Sequence, residues 1–323
     1  MFSGSAGRDR SPRTLLLGRL PCMNQTSGAE SIVLLNRRAG SGRAGRFWDR
    51  YGGGMRISGA LVAAATPEEA QQSLDAVIGP ATRRLIAVGG DGTFHCLVNE
   101  VMRRGLAGQV ELGLLPLGTG SDLASTLGLP RRPKAAIAHL AASSAWPMDL
   151  LEVDLGGQTR FAANVASLGL SADVARIVNG RSRRWAWTYL EVALRQLLGS
   201  RPRELSTELD GNPWFSGPVW LLVAANGPRF ARGMRIMPYA RVDDGLLDCM
   251  VASSRGPWSL IPHLPRLYLG LHLRAKPVHW SRGEALAVHG LGPDGWLAEL
   301  DGEHYPARQF TVRVRPGAIK VLS

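Results

Sequence analysis

Apolar residues in the first half of the chain occur in short continuous runs, and each run is followed by a glycine-rich turn. Three such runs are Ser31–Leu35, Arg84–Val88 and Glu111–Leu115. A short apolar run without alternation is typical of a parallel strand that is buried on both faces. The pattern therefore predicts an α/β domain with a parallel sheet, whose ligand crevice lies at the carboxyl ends of the strands.

The pattern changes after Asp149, where short segments alternate apolar with polar residues and are separated by Asp-Gly and Gly-Pro turns. Alternation of this kind is typical of antiparallel strands with one buried face. It predicts a second domain built as an antiparallel β-sandwich. One helix, Trp185–Leu198, interrupts the strands, which are predicted at Leu150–Leu155, Thr159–Val165, Glu204–Leu209, Val219–Ala225, Leu246–Ala252, Ala285–His289, Trp296–Leu300 and Phe310–Val314.

Composition narrows the class of protein. The 323 residues are 45% hydrophobic and 20% charged, which is typical of a globular chain and excludes a collagen-like or wholly disordered one. The longest apolar runs fall well short of the roughly 20 residues that a membrane-spanning helix needs. We interpret residues 1–30, which are rich in arginine, as a disordered tail, most of which would be absent if translation began at Met23.

Cysteine usage points to a reducing compartment and therefore to a cytoplasmic protein. Cys22, Cys96 and Cys249 are an odd number, and none of them belongs to a C-x-x-C or Cys/His ligand pattern. A disulfide framework and a structural zinc site are therefore not predicted.

The net charge of +12 is carried almost entirely by arginine, since only three of the 38 basic residues are lysine. Guanidinium groups suit phosphates and anionic surfaces. The stretch Cys249–Gly283 holds five basic residues and no acidic one, and within it Pro257–Lys276 mixes aromatic and aliphatic residues with arginines. This segment could rest on an anionic membrane, although a core helix with basic flanks explains it equally well. Basic residues do not alternate with aromatic ones on a strand platform, so nucleic acid is not a predicted partner.

Two glycine-rich loops carry the candidate chemistry. Gly89–Thr93 follows a buried strand directly, so that its backbone N–H groups could approach an anion closely. It matches neither a Walker A loop nor the dinucleotide-binding fingerprint, and a turn without a ligand remains the alternative. Leu114–Ala124 follows the next strand and offers the Thr119 hydroxyl for a phosphate, with Asp122 placed to cap a helix. Because neighbouring parallel strands end at one edge, the two loops are expected to meet in one crevice.

The two loops together resemble the GGDGT and P-x-GT-x-ND-x-A signatures of the lipid kinase superfamily, which includes bacterial diacylglycerol kinases, sphingosine kinases and ceramide kinases. The resemblance extends over nearly the whole chain after Ser31. It includes the Asn36–Gly45 opening, Val223–Gly227, the Asp243–Asp248 segment and a terminal Asp301-Gly302-Glu303. The chain departs from the pattern at several positions, namely Arg37, His95, Cys96, Ser121 and Phe230–Gly233.

The resemblance implies transfer of the γ-phosphoryl group of ATP, with Mg²⁺, to a lipid hydroxyl of the diacylglycerol or sphingoid type. It implies a nucleotide-binding domain over 31–149 and a β-rich lipid-binding domain over 150–323, whose last strands could return to the first domain. It implies a peripheral enzyme on the inner face of the membrane, and it leaves a homodimer open. The implied nucleotide-binding residues are Asn36, Thr66, Gly89, Gly90, Asp91, Gly92, Thr93, His95, Gly118 and Thr119.

The resemblance also implies a catalytic base and a metal site. The base is Glu303, with Asp91 as the rival, while Asp301-Gly302 taken alone is typical of a hairpin turn. The Mg²⁺ site consists of Asp244 and the backbone carbonyls of Arg241 and Leu246, although an exposed Asp-Asp-Gly turn would have the same sequence. Two other functions stay open at this point, a kinase of NAD and a non-catalytic protein that binds anionic lipid.

Overall fold

The chain folds as an α/β domain followed by an antiparallel β-rich domain, as predicted. The structure is a computed structural model that describes residues 30–52, 59–180 and 186–323. The predicted tail therefore lies almost entirely outside the described residues. The helices are α1 (Ala39–Tyr51), α2 (Pro67–Val77), α3 (Asp91–Arg103), α4 (Asp122–Thr126), α5 (Pro133–Ala142), α6 (Leu170–Asn179), α7 (Ala186–Gly199) and α8 (Arg266–Leu269).

Fifteen strands are formed by the described residues. Those of the first domain are β1 (Ser31–Leu35), β2 (Gly59–Ala63), β3 (Arg84–Gly89) and β4 (Glu111–Pro116). The others are β5 (Ala145–Asp154), β6 (Thr159–Ala162), β7 (Val165–Gly169), β8 (Arg203–Leu209), β9 (Asn212–Ala225), β10 (Leu247–Ser253), β11 (Val278–Gly283), β12 (Ala285–His289), β13 (Trp296–Leu300), β14 (Glu303–Ala307) and β15 (Phe310–Leu322).

The first domain is a parallel sheet in the order β2-β1-β3-β4 with helices on both faces. Leu74 of α2 and Leu97 of α3 pack in the same buried cluster on one face. Trp48 of α1 and Leu140 of α5 pack on the opposite face. The carboxyl ends of β3 and β4 are fixed side by side, because Gly89 and Pro116 are paired in register.

The second domain is antiparallel and is joined to the first through its last strand. Along the main path its strands follow the order β14-β13-β7-β9-β8-β12-β15. The first part of β15 pairs with β12, and its end pairs in parallel with β4, where Lys320 lies opposite Glu111. The hydrogen-bonded sheet therefore runs continuously from one domain to the other, which fixes how the domains face each other.

The strand predicted over Thr159–Val165 is wrong in one respect, because the structure divides this segment into β6 and β7. The break occurs where the N–H groups of Ala163, Asn164 and Val165 donate to the Asp301 carboxylate, at 2.8, 2.9 and 3.0 Å. An acceptor from a distant part of the chain takes the place of a neighbouring strand at these positions. Other elements differ in extent. The largest differences are that β5 begins at Ala145, β9 begins at Asn212 and β15 reaches Leu322, while α7 begins one residue later than predicted, at Ala186. Trp185, the predicted start of that helix, lies outside the described residues.

Membrane-spanning helices were searched for in the described ranges. None of the helices there combines the length and the apolar character that crossing a bilayer requires.

Candidate functional site

A cleft of about 670 Å³ opens where the two glycine-rich loops of the first domain face the second domain. The turn after β13 and the segment around Phe230–Arg232 form its far wall. Nine of the residues predicted for the site line this cleft, namely Asn36, Thr66, Gly90, Asp91, Gly92, Thr93, Gly118, Thr119 and Glu303. Gly89, which is also predicted for the site, is the last residue of β3 and is buried against the Thr93 side chain.

The two loops touch through their backbones. The N–H groups of Leu117 and Gly118 both donate to the Gly89 carbonyl at 2.7 Å. A methyl group on Gly118 would collide with the Cα atom of Gly90, so only glycine permits this approach. The contact leaves a floor of bare backbone beneath the cleft, which is the surface that a phosphate chain needs for close approach.

The loop that follows β1 is held against the same backbone floor by a hydrogen bond from Arg43. Gly40, Ser41 and Gly42 have φ values of 61°, 58° and 80°, so the regular part of α1 begins only after them. Arg43 then reaches back and donates from Nη2 to the Gly118 carbonyl at 2.6 Å. Three segments that are distant in the sequence are in this way held around one space.

Asn36 and Thr66 line the cleft and also have local partners. Asn36 Oδ1 accepts the Arg38 N–H at 3.1 Å. Thr66 is the N-cap of α2, and its hydroxyl accepts the Glu69 N–H at 3.2 Å. Because each side chain already has a local structural partner, its position in the cleft does not by itself assign it to a ligand.

Asp91 and Asp122 form a buried carboxylate pair in the cleft. Asp91 Oδ2 accepts the Asp122 N–H at 3.0 Å, while Oδ1 is buried without a hydrogen-bond partner among the described residues. Burial raises the pKa of Asp91 to about 7, and the neighbouring Asp122 carboxylate adds to the shift. A buried oxygen without a donor beside a second carboxylate is a group that a bound cation would satisfy, so these residues fit a metal–nucleotide complex.

The Asp122 carboxylate also connects the loop to the second domain. Its Oδ2 accepts the Arg232 N–H at 2.8 Å, and Arg232 donates from Nη2 to the Thr119 carbonyl at 2.9 Å. Burial raises the pKa of Asp122, and the backbone donors at Arg232 and Gly233 oppose the shift. The predicted capping role is not observed, since Ser121 occupies the N-cap position of α4.

Glu303 begins β14 and its carboxylate lies directly against the Gly89–Thr93 loop. A methyl group on Gly92 would collide with Glu303 Oε1. The glycine at position 92 therefore provides the space that this carboxylate occupies. The arrangement brings a carboxylate from the second domain to the glycine-rich loop of the first.

His95 does not line the cleft. It is buried in α3, where Nδ1 lies 3.1 Å from Asp301 Oδ2 and Nε2 lies 2.8 Å from the Tyr305 hydroxyl. Both ring nitrogens are engaged, so neither is directed to a nucleotide. The ring instead joins the helix that follows Asp91 to the hairpin turn at Asp301, and so it helps to fix Glu303 opposite Gly92.

The predicted metal-binding segment lies away from the cleft. Asp244 Oδ1 accepts the Leu246 N–H at 3.2 Å, and Oδ2 lies 3.9 Å from Arg282 Nη1. Arg241 pairs instead with Asp243 at the surface. The oxygen donors are those that Mg²⁺ prefers, but a cation would have to share Asp244 with a guanidinium group. Over the described ranges, no three His, Cys, Asp or Glu side chains come together to hold a metal.

The cleft wall also contains Glu299, which the sequence analysis did not identify, and Cys96, which it identified only as a departure from the family pattern. Glu299 is buried in β13, accepts a hydrogen bond from Ser167 at 3.3 Å, and has its pKa raised to about 8 by burial. Burial likewise raises the pKa of the Cys96 thiol to about 12. The available signal for Glu299 was a charged residue within the apolar strand Trp296–Leu300.

Comparison with known proteins covers both domains. Residues 30–153 match the family described as the diacylglycerol kinase catalytic domain. Residues 164–323 match the YegS C-terminal NAD kinase beta sandwich-like domain. The order and extent of the two matches agree with the two domains of the structure.

Individual relatives agree with these matches. A Pseudomonas aeruginosa protein named "Probable lipid kinase YegS-like" is 30% identical over 263 residues, which are 78% of this chain and 80% of that protein. A Mycobacterium tuberculosis protein named "Diacylglycerol kinase" is 27% identical over 261 residues, 79% of this chain and 81% of that one. The crystal structure of a diacylglycerol kinase from Bacillus anthracis shares the fold, with a TM-score of 0.71 at 17% identity, over 92% of this chain and 98% of that one.

Together these findings define a class of two-domain kinase in which both domains contribute to one cleft. The chain belongs to the bacterial diacylglycerol kinase-like lipid kinase family, and it is a kinase.

Proposed function

We propose that this enzyme transfers the γ-phosphoryl group of ATP to the hydroxyl group of a lipid of the diacylglycerol or sphingoid type. The observation that carries the proposal is the position of the Glu303 carboxylate against Gly92 of the Gly89–Thr93 loop. Family membership supports a lipid acceptor over NAD, and it supports an enzyme over a non-catalytic binding protein. We assign residues 31–149 to the nucleotide and residues 150–323 to the lipid.

The chain's own residues divide the chemistry between them. Bound ATP would supply the phosphoryl group, and Mg²⁺ would neutralise the charge that develops on it. The backbone floor at Gly90 and Gly118 would admit the phosphates, and Asp91 with Asp122 would hold the cation. Glu303 orients the lipid hydroxyl and accepts its proton as the new bond to phosphorus forms, because an alcohol of high pKa is a poor nucleophile without a base.

A second, structural Mg²⁺ is proposed at Asp244 with the carbonyls of Arg241 and Leu246, although Arg282 is a competing cation there. We place the reaction at the inner membrane surface, where ATP and membrane lipids meet. A homodimer is compatible with this arrangement but not required by it.

The proposal is tested by incubating the purified full chain with radiolabelled ATP, Mg²⁺ and mixed micelles that contain diacylglycerol, sphingosine or ceramide. One lipid should become labelled, and Glu303→Gln should label it at least about 100-fold more slowly. Glu204→Gln, an exposed change on β8, is the matched control and should label at the normal rate. Label in NADP from added NAD, with none in any lipid, would overturn the proposal.

A further inference from the structure

Exposed large apolar side chains are concentrated on one region of the second domain. Six side chains in the described ranges are large, apolar and exposed, and five of them belong to residues 239–280. Their exposed fractions are 55% for Tyr239, 76% for Trp258, 65% for Leu269, 51% for Leu271 and 41% for Trp280. Water contact at so many neighbouring apolar groups is unfavourable, and contiguous patches of this kind mark interaction surfaces.

Four of these side chains belong to segments that pack against one another. The rings of Tyr239 and Trp280 are 6.1 Å apart between centroids. Gly270, which separates Leu269 from Leu271, packs on the ring of Pro238, the residue before Tyr239. We call the surface formed by Tyr239, Leu269, Leu271 and Trp280 the docking face. Trp258 belongs to the same run of short helical turns, Pro257 to Arg274.

The run is firmly anchored on its inner side, so the exposure of its outer side is not the result of loose packing. Leu260 and Leu264 are buried against Trp220 and Leu197. His272 is buried as well, and its Nε2 lies 2.9 Å from the Ile236 carbonyl. A rigid segment that turns leucine and tryptophan outward resembles the membrane-contacting surface of an interfacial protein.

The charge around the docking face is mainly positive. The acidic residues that follow Tyr239, namely Asp243, Asp244 and Asp248, each lie within ion-pair distance of Arg241 or Arg282. Arg255, Arg266, Arg274 and Lys276 are exposed, and none of the four forms an ion pair with another described residue. No acidic residue occurs between Cys249 and Gly283. Uncompensated cations beside exposed tryptophan and leucine complement an anionic bilayer, whose headgroups bind the cations while its acyl region accepts the apolar groups.

The docking face lies at the rim of the candidate cleft. The Arg235 N–H donates to the Leu267 carbonyl of α8 at 2.8 Å, and the same loop carries Phe230 and Arg232 in the cleft wall. A bilayer that covered the face would therefore lie next to the opening through which an acceptor has to enter.

We propose that Tyr239, Leu269, Leu271 and Trp280, with the surrounding arginines, dock the enzyme on anionic phospholipid bilayers. The proposal rests on the proposed lipid acceptor, since that acceptor is what the bilayer would present. Docking should combine apolar insertion with an electrostatic part that weakens as salt rises.

Binding to vesicles tests the face without any catalytic readout. Full-length protein is sedimented with vesicles of phosphatidylcholine and phosphatidylglycerol in a 3:1 ratio, without ATP. Leu269→Ser should weaken binding about tenfold, and Leu269→Ser with Trp280→Ser about 100-fold. Each change removes an apolar group that would be buried in the bilayer and would contribute roughly a factor of ten to the affinity. Leu198→Ser, at a leucine near the end of α7 that is 50% exposed, is the matched control and should bind like the wild type.

Two further arms separate charge and oligomerisation from insertion. Binding should fall on pure phosphatidylcholine vesicles and with rising salt, and Arg266→Gln with Arg274→Gln should reduce that salt dependence. Equal binding of all variants would overturn the proposal. A second outcome would also overturn it, namely that the face is an interface between two copies of the chain. In that case the wild type would fail to bind vesicles and would be a dimer in sedimentation equilibrium, and the double serine variant would be a monomer.

The activity on a short-chain, water-soluble diacylglycerol distinguishes this proposal from the proposed function. Vesicle binding without phosphorylation of any acceptor would leave the docking face standing and would contradict the lipid kinase. Normal phosphorylation of the soluble acceptor without vesicle binding would support the lipid kinase and contradict the docking face.

Discussion

Two pairs of aspartates in this enzyme differ in whether a basic side chain of the protein neutralises them. In the cleft, Asp91 lies beside Asp122 and forms no ion pair with any described residue. Each pair has one buried carboxylate oxygen without a hydrogen-bond partner, Asp91 Oδ1 and Asp248 Oδ2, so the difference lies in the ion pairs. On the second domain, Asp244 and Asp248 share Arg282, whose Nε lies 3.0 Å from Asp248 Oδ1. The protein supplies a cation to the second pair and none to Asp91.

The difference indicates which pair is kept for a ligand. Burial raises the pKa of Asp91 to about 7, so above that pH the folded chain holds this carboxylate at a cost that a bound cation would relieve. Burial also raises the pKa of Asp248, but Arg282 opposes the shift. The pair on the second domain can therefore be structural, whereas the pair in the cleft depends on what binds there.

Replacing Asp91 should have the largest effect, because it removes the carboxylate that distinguishes the cleft pair. Asp91→Asn should weaken the binding of Mg²⁺ and ATP by at least about 100-fold, because the loop then offers no charge to the cation. Isothermal titration calorimetry measures the loss, with Asp244→Asn as the control that should bind ATP normally. Unchanged ATP affinity in Asp91→Asn would remove this residue from the nucleotide site.

The same variant should be more stable when no nucleotide is present. A carboxyl group whose folded pKa is raised stabilises the protein below the unfolded value of about 4 and loses that contribution as pH rises through the folded value of about 7. Asp91→Asn should therefore raise the melting temperature at pH 8 by about 2 °C or more, and by less at pH 5. A lower melting temperature at pH 8 would contradict the burial argument.

The affinity for Mg²⁺ and ATP should depend on pH in the same range. Protonation neutralises Asp91 below pH 7, so affinity should fall by up to about tenfold per pH unit as the pH decreases from 7. Above pH 8 the affinity should level off. An affinity that is flat between pH 5.5 and 8 would show that Asp91 does not titrate with the ligand.

Removing the internal cation should affect stability and leave binding intact. Arg282→Gln leaves Asp248, which is 1% exposed, without its charged partner, and should reduce the free energy of unfolding by about 2 kcal/mol. Arg313→Gln, an exposed change on β15, is the control and should leave chemical denaturation unchanged. A larger effect on ATP affinity than on unfolding would mean that the two pairs are coupled.

The smallest expected effect concerns Mg²⁺ at Asp244. At ten times its dissociation constant, a bound ion stabilises the folded state by about 1.4 kcal/mol. The test uses protein that carries Asp91→Asn. In that background, Mg²⁺ should raise the melting temperature less when Asp244→Ala is added. It should raise the melting temperature more when Arg282→Gln is added, because this change removes the competing guanidinium group. Equal shifts in all three would contradict a cation site at Asp244.

Local signals were sufficient to predict the floor of the cleft. The apolar runs before Gly89 and Pro116 required buried parallel strands, and neighbouring strands bring their loops to one edge. The pairing of Lys320 with Glu111, the break at Asn164 and the position of His95 could not be predicted in this way. Each depends on a partner more than 100 residues distant in the sequence. Asp301 is an example, because its carboxylate accepts three backbone N–H groups from a segment whose own sequence does not indicate this acceptor.

The central claim is that Glu303, and not Asp91 or Asp301, accepts the proton of the lipid hydroxyl. The most direct test is the kcat of Glu303→Gln measured together with its dissociation constant for ATP, on the acceptor identified by the lipid panel. We predict a kcat lower by roughly 10²–10⁴ with ATP binding almost unchanged, because glutamine keeps the size of the side chain but cannot take the proton. A Glu303→Gln enzyme with near-normal kcat would contradict the account.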